Sequence, residues 1–166
     1  MILYPKDFIK NVLIDEIQDI VIRHPYLAFV LICSGIEFLG KCIDIRNQKW
    51  NWDIKYQKTN QPFDGAIKKL FPKKYHKLLT KYNLRDQLRN GLIHLYTPKN
   101  KIGLTQLKHD EKGIIKMNNH PFIKNGRVVL VIEYFYIDFV DACKKVLAME
   151  FSRDKMNKPL LETPSK

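Results

Sequence analysis

Cysteine is scarce and poorly placed for chemistry. Cys33, Cys42 and Cys143 are an odd three with no C-x2-C pair, so neither a disulfide framework nor structural zinc is expected. His109 and His120 have no ligand-type neighbours at metal spacing and read as solvated or core residues. No metal and no cofactor is expected. Long apolar runs are missing too. The longest, from Pro25 to Ile36, is too short to span a bilayer and stops at Glu37. Pro5, Lys6 and Asp7 come ahead of any apolar stretch, unlike a signal peptide. A cytoplasmic protein with no membrane segment is the expectation. Acidic residues are outnumbered, 17 against 29 basic, for a formal charge of +12. Such a field attracts polyanions, nucleic acid first among them; a soluble, lysine-rich surface is the plainer alternative.

What is present is enough for one domain with a real core. The chain has 166 residues, 45% of them hydrophobic and 11% aromatic. No repeat, low-complexity segment or composition break marks a second domain. A single domain over residues 1–151 is expected, with residues 152–166, carrying Pro159 and Pro164, as a frayed flexible tail.

The fold class reads as mostly α, a small helical bundle with a short β-hairpin or strand insertion before the last helix. Phe8, Val12, Ile14, Ile17, Ile20 and Val21 recur at near-helical spacing between Asp7 and Arg23. Pro25 opens a second helix to about Ile45, predicted to pack against the first as an antiparallel hairpin. That helix is apolar on nearly all sides from Tyr26 to Leu39, as suits the bundle centre, with Gly35 and Gly40 permitting close approach. Glu37 is its odd residue, and a salt bridge to an arginine would satisfy it as well as solvent would. Residues 46–61 read as a loop whose Trp50, Trp52 and Tyr56 either stack on unpaired bases or pin the loop to the bundle. Short helices follow over Phe63 to Leu70 and Lys73 to Lys81, separated by Pro72. After Pro98 the period changes. Ile102 to Leu107 and Gly113 to Met117 read as paired strands, Val128 to Ile132 as a third behind a turn at Gly126, and Glu133 to Met149 as the last helix.

Arginine is the rarer base, six of 29, yet Arg85 and Arg89 fall one turn apart on a helix that Asn83 would cap, with Asp86 as the capping-box acid. On a helical wheel, Leu84, Leu88, Gly91, Leu92 and Leu95 share an arc of roughly 100° that must face the core. Arg89 points the other way, with Tyr96 about 20° and Arg85 about 40° to one side, and Asn90 and His94 about 100° and 140° to the other. Ile93 lies between Arg89 and His94. An isoleucine on a polar face points to something that covers it, most simply a second copy of the helix. Arginine offers a permanent, forked charge that matches phosphate oxygens, and histidine moves protons near neutral pH. The pair suits phosphodiester chemistry without a metal, and Lys99 and Lys101 directly after the helix would add contacts to the substrate backbone, beside Arg85. A helix also needs a solvated face, for which the same residues serve.

With six Arg and five His in the chain, a bare Arg-x4-His spacing arises by chance with probability roughly 0.18, and demanding Asn after the Arg and Tyr two past the His lowers this below roughly 0.001. The sequence Arg89-Asn90-x3-His94-x-Tyr96, on a late helix of a small bundle, resembles the HEPN superfamily, whose active members are metal-independent ribonucleases. Helix order before the motif is similar more loosely, and the strands after it depart from compact all-helical members. The resemblance implies Arg89 and His94 as the catalytic pair, Asn90 as their orienting residue, and two sites converging at a homodimer interface. Tyr96 matches the tyrosine that receives AMP in toxin members paired with a nucleotidyltransferase antitoxin. The implied reaction is attack of a ribose 2′-hydroxyl on the adjacent phosphate, leaving a 2′,3′-cyclic phosphate and a 5′-hydroxyl. The expected function is therefore a toxin or phage-defence endoribonuclease, with a non-catalytic RNA-binding or protein-interaction module on the same fold as the alternative.

Overall fold

A computed structural model describes residues 3–44, 61–110, 113, 115–149 and 154–160. Trp50, Trp52 and Tyr56 lie outside the described residues. Helix α1 covers residues 5–23 as Pro5–Asp7, a π-wound segment Phe8–Glu16, and Ile17–Arg23. Ile9, Leu13, Ile17 and Val21 recur every fourth residue, and all are buried on one stripe. Helix α2, Pro25–Ile43, starts on a proline whose missing N–H costs nothing in the first turn. It buries Phe29, Ile32, Cys33, Ile36 and Leu39 at the centre. This helix runs beyond the apolar stretch that the sequence showed. Its 19 residues, at a mean hydropathy of 1.7, are long and apolar enough to cross a membrane, yet 56% of that stretch is buried inside the protein.

Helix α3, Pro62–Leu70, and helix α4, Lys73–Lys81, follow. A Cβ at Gly40 would run into the backbone carbonyl of Pro62, and one at Gly35 into the ring of Phe139. Both glycines therefore mark close crossings on α2. Helix α5 carries the arginine and histidine motif in two windings, a π-wound stretch Arg85–Asn90 and an α-helical stretch Gly91–Leu95.

Helix α5 departs from the straight wheel in three ways. Asn83 does not cap it; its φ is +48°, and no side-chain cap bond is made at the helix start. The helix ends at Leu95 rather than at Pro98, because Tyr96 takes the left-handed conformation with φ of +53°. The wider π winding also turns every later side chain relative to an α-helix. Leu84, Leu88 and Leu92 remain buried, but Leu95 is 59% exposed, and Ile93 is half-buried rather than exposed.

Three short strands precede the last helix: β1 Ile102–Thr105, β2 Phe122–Lys124 and β3 Arg127–Val131. Their order is β1-β3-β2, with β1 parallel and β2 antiparallel to β3. Among the described residues the expected hairpin between residues 102–107 and 113–117 is not formed. Leu107–His109 and Met117–Asn119 are 3-10 turns instead, and the hairpin lies at Asn125-Gly126, both with positive φ. Asn-Gly is the favoured dipeptide of a two-residue hairpin turn, because both positions accept that conformation. Helix α6, Ile132–Ala148, closes the bundle with Phe135, Phe139, Ala142, Cys143 and Val146 in the core. Ile137 on the same helix is 40% exposed. Of the expected tail, residues 154–160 are described. Met156 is buried in the core, and the Leu160 amide donates to the Leu3 carbonyl at 2.7 Å. Asp154–Asn157 forms a short 3-10 turn beside these contacts.

Candidate functional site

Helix α5 runs antiparallel to α2, so that Arg89 meets Glu37 while Tyr96, seven residues on, meets Tyr26. Arg89 Nε donates to Glu37 Oε2 at 2.7 Å, and Arg89 Nη2 donates to the same oxygen. The lone carboxylate of the apolar helix thus has the arginine partner that its burial calls for. The remaining nitrogen, Nη1, donates to Asn90 Oδ1 at 3.0 Å and stands 3.5 Å from His94 Nε2. Glu37 therefore fixes two of the guanidinium nitrogens and leaves the third turned towards asparagine and histidine.

These groups share an open-sided cavity of about 300 Å³, lined by Glu37, Gln61, Phe63, Arg85, Arg89, Asn90 and His94. Its volume is at the small end of ligand pockets. Arg85 lies 3.5 Å from Asp64 on α3, whose carboxyl is raised above the usual carboxylate range by burial, against the opposing pull of Arg85 and Lys68. Beneath the site, burial raises the Cys33 thiol, with Arg89 opposing. All three cysteines are buried. Among the described residues no group of three or more His, Cys, Asp or Glu is placed to hold a metal ion.

Three residues assigned to the site from sequence lie outside the cavity. Lys99 Nζ is held by Asp86 Oδ1 at 2.7 Å, and that bond, with smaller help from Asn90 and Gln87, keeps the Asp86 carboxyl below its usual range. The backbone explains this capture, since the Lys99 amide bonds the Gln87 carbonyl at 2.8 Å and folds the chain back along α5. Lys101 is exposed, and its amide donates to Gln87 Oε1 at 3.3 Å. Tyr96, expected beside Arg89 on the wheel, sits past the helix end, 75% exposed, with its carbonyl accepting from the Tyr26 hydroxyl. Sequence reasoning missed Gln61, Phe63 and Asp64, which reach the site from α3 and the residue before it. No local signal marks them, because their place depends on the α2 and α3 crossing at Gly40.

A second polar cluster is buried elsewhere. The Tyr75 hydroxyl donates to Asp138 Oδ2 at 2.7 Å, Lys74 Nζ stands 3.0 Å from the same oxygen, and His120 Nδ1 is 3.4 Å from the Tyr75 hydroxyl. His120 Nε2 is buried with no partner. The cluster joins α4, α6 and the segment leading into β2. Compared with known proteins, the chain matches no family model, no curated protein and no solved structure.

Proposed function

We propose that this protein is a HEPN-like, metal-independent endoribonuclease of the toxin or phage-defence kind, acting on RNA in the cytoplasm. The observation that carries the reading is the convergence of Glu37, Arg89, Asn90 and His94 on one open cavity, with Arg89 Nη1 held at Asn90 Oδ1 and 3.5 Å from His94 Nε2. A phosphodiester seated there meets a fixed cationic donor and an imidazole from one side. Arg89 stabilises charge on the non-bridging oxygens as the ribose 2′-oxygen attacks phosphorus. His94 either takes the proton of that hydroxyl or gives one to the departing 5′-oxygen, a role typically contributing about 10²- to 10⁴-fold. The P–O5′ bond breaks as the P–O2′ bond forms. The products are a 2′,3′-cyclic phosphate and a 5′-hydroxyl. Asn90 holds Arg89 in register, and Arg85 adds charge at the cavity rim.

The functional unit in this reading is a homodimer. Leu95 and Tyr96 are exposed beside His94, and Tyr26, 47% exposed, touches Tyr96. An apolar edge next to the site suits a second copy of the same edge. The exposure of the Tyr96 side chain also fits its role as acceptor of AMP from a nucleotidyltransferase antitoxin, as the family resemblance implies.

One observation favours the non-catalytic RNA-binding or protein-interaction module. Arg89 is already neutralised by Glu37, and a compensated guanidinium attracts phosphate less strongly than a free one. Total cellular RNA incubated in excess EDTA with wild type, Arg89→Ala and His94→Ala separates the readings. Cleavage by wild type alone, with 2′,3′-cyclic phosphate ends, is the expected result. Intact RNA in all three assigns the fold to binding.

A further inference from the structure

The cations around the proposed catalytic cavity have carboxylate neighbours: Arg89 has Glu37, Arg85 has Asp64 and Lys99 has Asp86. The sheet is built differently. Register sets Lys124 of β2 directly opposite Arg127 of β3, joined by the tight turn at Asn125 and Gly126. Like charges opposite each other across an antiparallel pair destabilise it. Among the described residues neither makes an ion pair that would offset that repulsion.

Strand alternation puts these two cations on the same face as Phe122 and Val129, while Val128 and Leu130 point into the core. On that face Gly103, Val129 and Phe122 form one row across the three strands. Gly103 has no side chain to cover the row, and among the described residues the side-chain atom within 4 Å of where its Cβ would sit is Val129 Cγ2 at 3.5 Å. The result is a cavity of about 570 Å³, lined by Phe122, Lys124, Asn125, Arg127 and His109 among others, with no carboxylate among its described lining residues. His109 is exposed and lies 3.0 Å from Gln106 Nε2.

We propose that this face of the sheet binds single-stranded RNA, distinct from the Arg89 and His94 cavity. It seats unstacked bases against Phe122 over the bare row at Gly103, with Lys124 and Arg127 on the flanking phosphates. Aromatic rings stack any base, and paired cations track a backbone; together they make a binding mode for unpaired strands. Asn125 and His109 supply donors and acceptors for base edges. The concavity favours inserted bases over a flat anionic surface such as a lipid bilayer. Choosing RNA as the polyanion rests on the ribonuclease reading, while the site itself is built from other residues.

The test is fluorescence anisotropy of a labelled 2′-O-methyl oligouridylate, which cannot be cut, with the full chain. Wild type is compared with Lys124→Gln/Arg127→Gln and with Phe122→Leu, both checked for an unchanged thermal midpoint. The double variant binds at least about tenfold more weakly and lowers the salt slope by about 1.4, since each phosphate contact contributes about 0.7 on a single strand. Phe122→Leu weakens binding by at least about fivefold, the lower end for loss of one stacked base. Cleavage of a dinucleotide, which has no nucleotides beyond the scissile bond to seat on a second site, stays at the wild-type rate in both. Binding equal to wild type in the double variant overturns the proposal. So does loss of binding to phosphatidylserine vesicles with oligouridylate binding intact. Weakened oligouridylate binding with no cleavage by wild type upholds the sheet site and removes the ribonuclease reading instead.

Discussion

At the residue scale, Arg89 divides its hydrogen bonds between two sides. Two nitrogens go to Glu37 and one faces Asn90 and His94, so the carboxylate acts as a positioning group. Glu37→Gln keeps the shape but loses the charge-assisted bonds that fix the fork. Its kcat on RNA should fall between about 10- and 100-fold, the range that a misplaced catalytic group produces, while KM holds. Equal kcat in Glu37→Gln and wild type would remove Glu37 from that role. Arg89, Asn90, His94 and Glu37 were legible in the sequence because their chemistry is unusual for where they sit. Lys99 and Lys101 were not, since only the fold shows that Asp86 holds one ammonium and that the other points to solvent. Tyr96 was misplaced by treating a helix end as helix.

At the scale of elements, α2 is the piece on which the site depends. Gly40 lets the Pro62 backbone lie against α2, and this crossing carries Gln61, Phe63 and Asp64 towards Arg85 and Arg89. Gly40→Ala should destabilise the fold by about 1–3 kcal/mol, the usual cost of overpacking, measured as a lower urea midpoint. An unchanged midpoint would mean that α3 can shift without loss. The helices themselves were readable from periodicity and proline punctuation. Lys73 to Lys81 was bounded correctly because Pro72 precedes it, and the two central glycines were recognised as close-approach positions. The sheet was read less well. β2 has only three residues, too few to show alternation, and β1 pairs in parallel with a strand more than twenty residues away rather than with its neighbour. The π winding of Arg85–Asn90 has no signature in the sequence, and it undid the wheel beyond Ile93. Such winding recurs at functional sites.

At the scale of the whole molecule, two properties follow from groups outside the cavity lining. The first is acid sensitivity. Burial, reinforced by Lys74, lowers the His120 pKa, while Asp138 pulls the other way. The Asp138 carboxyl is raised by burial but held below its usual range by the contacts of His120, Tyr75 and Lys74. Tyr75 is pushed up, by burial first and then by Asp138, and Tyr134 packs its ring 5.8 Å from His120. A histidine with a depressed folded pKa leaves stability intact above the unfolded value of about 6.5 and withdraws it as the pH falls below. The Asp138 contribution is lost later, as the pH drops through the usual carboxylate range of about 3.9 to the lower folded value. Urea midpoints should therefore fall between pH 7.5 and pH 5.5 in wild type and fall less in His120→Gln. Equal falls in both would show that His120 does not govern the loss. The second property is assembly. Light scattering of wild type should give a dimer mass and Leu95→Asp a monomer, since a charge on the exposed apolar edge opposes a second copy. A monomeric wild type would refute the shared interface.

The most direct measurement is cleavage of a short RNA of defined sequence in excess EDTA, beside the same oligomer with a 2′-deoxy substitution at the scissile nucleotide. The account predicts that wild type cuts the first into fragments ending in a 2′,3′-cyclic phosphate and leaves the second intact, and that Arg89→Ala and His94→Ala cut neither. Cleavage of the 2′-deoxy oligomer, or unchanged cleavage by His94→Ala, would contradict it.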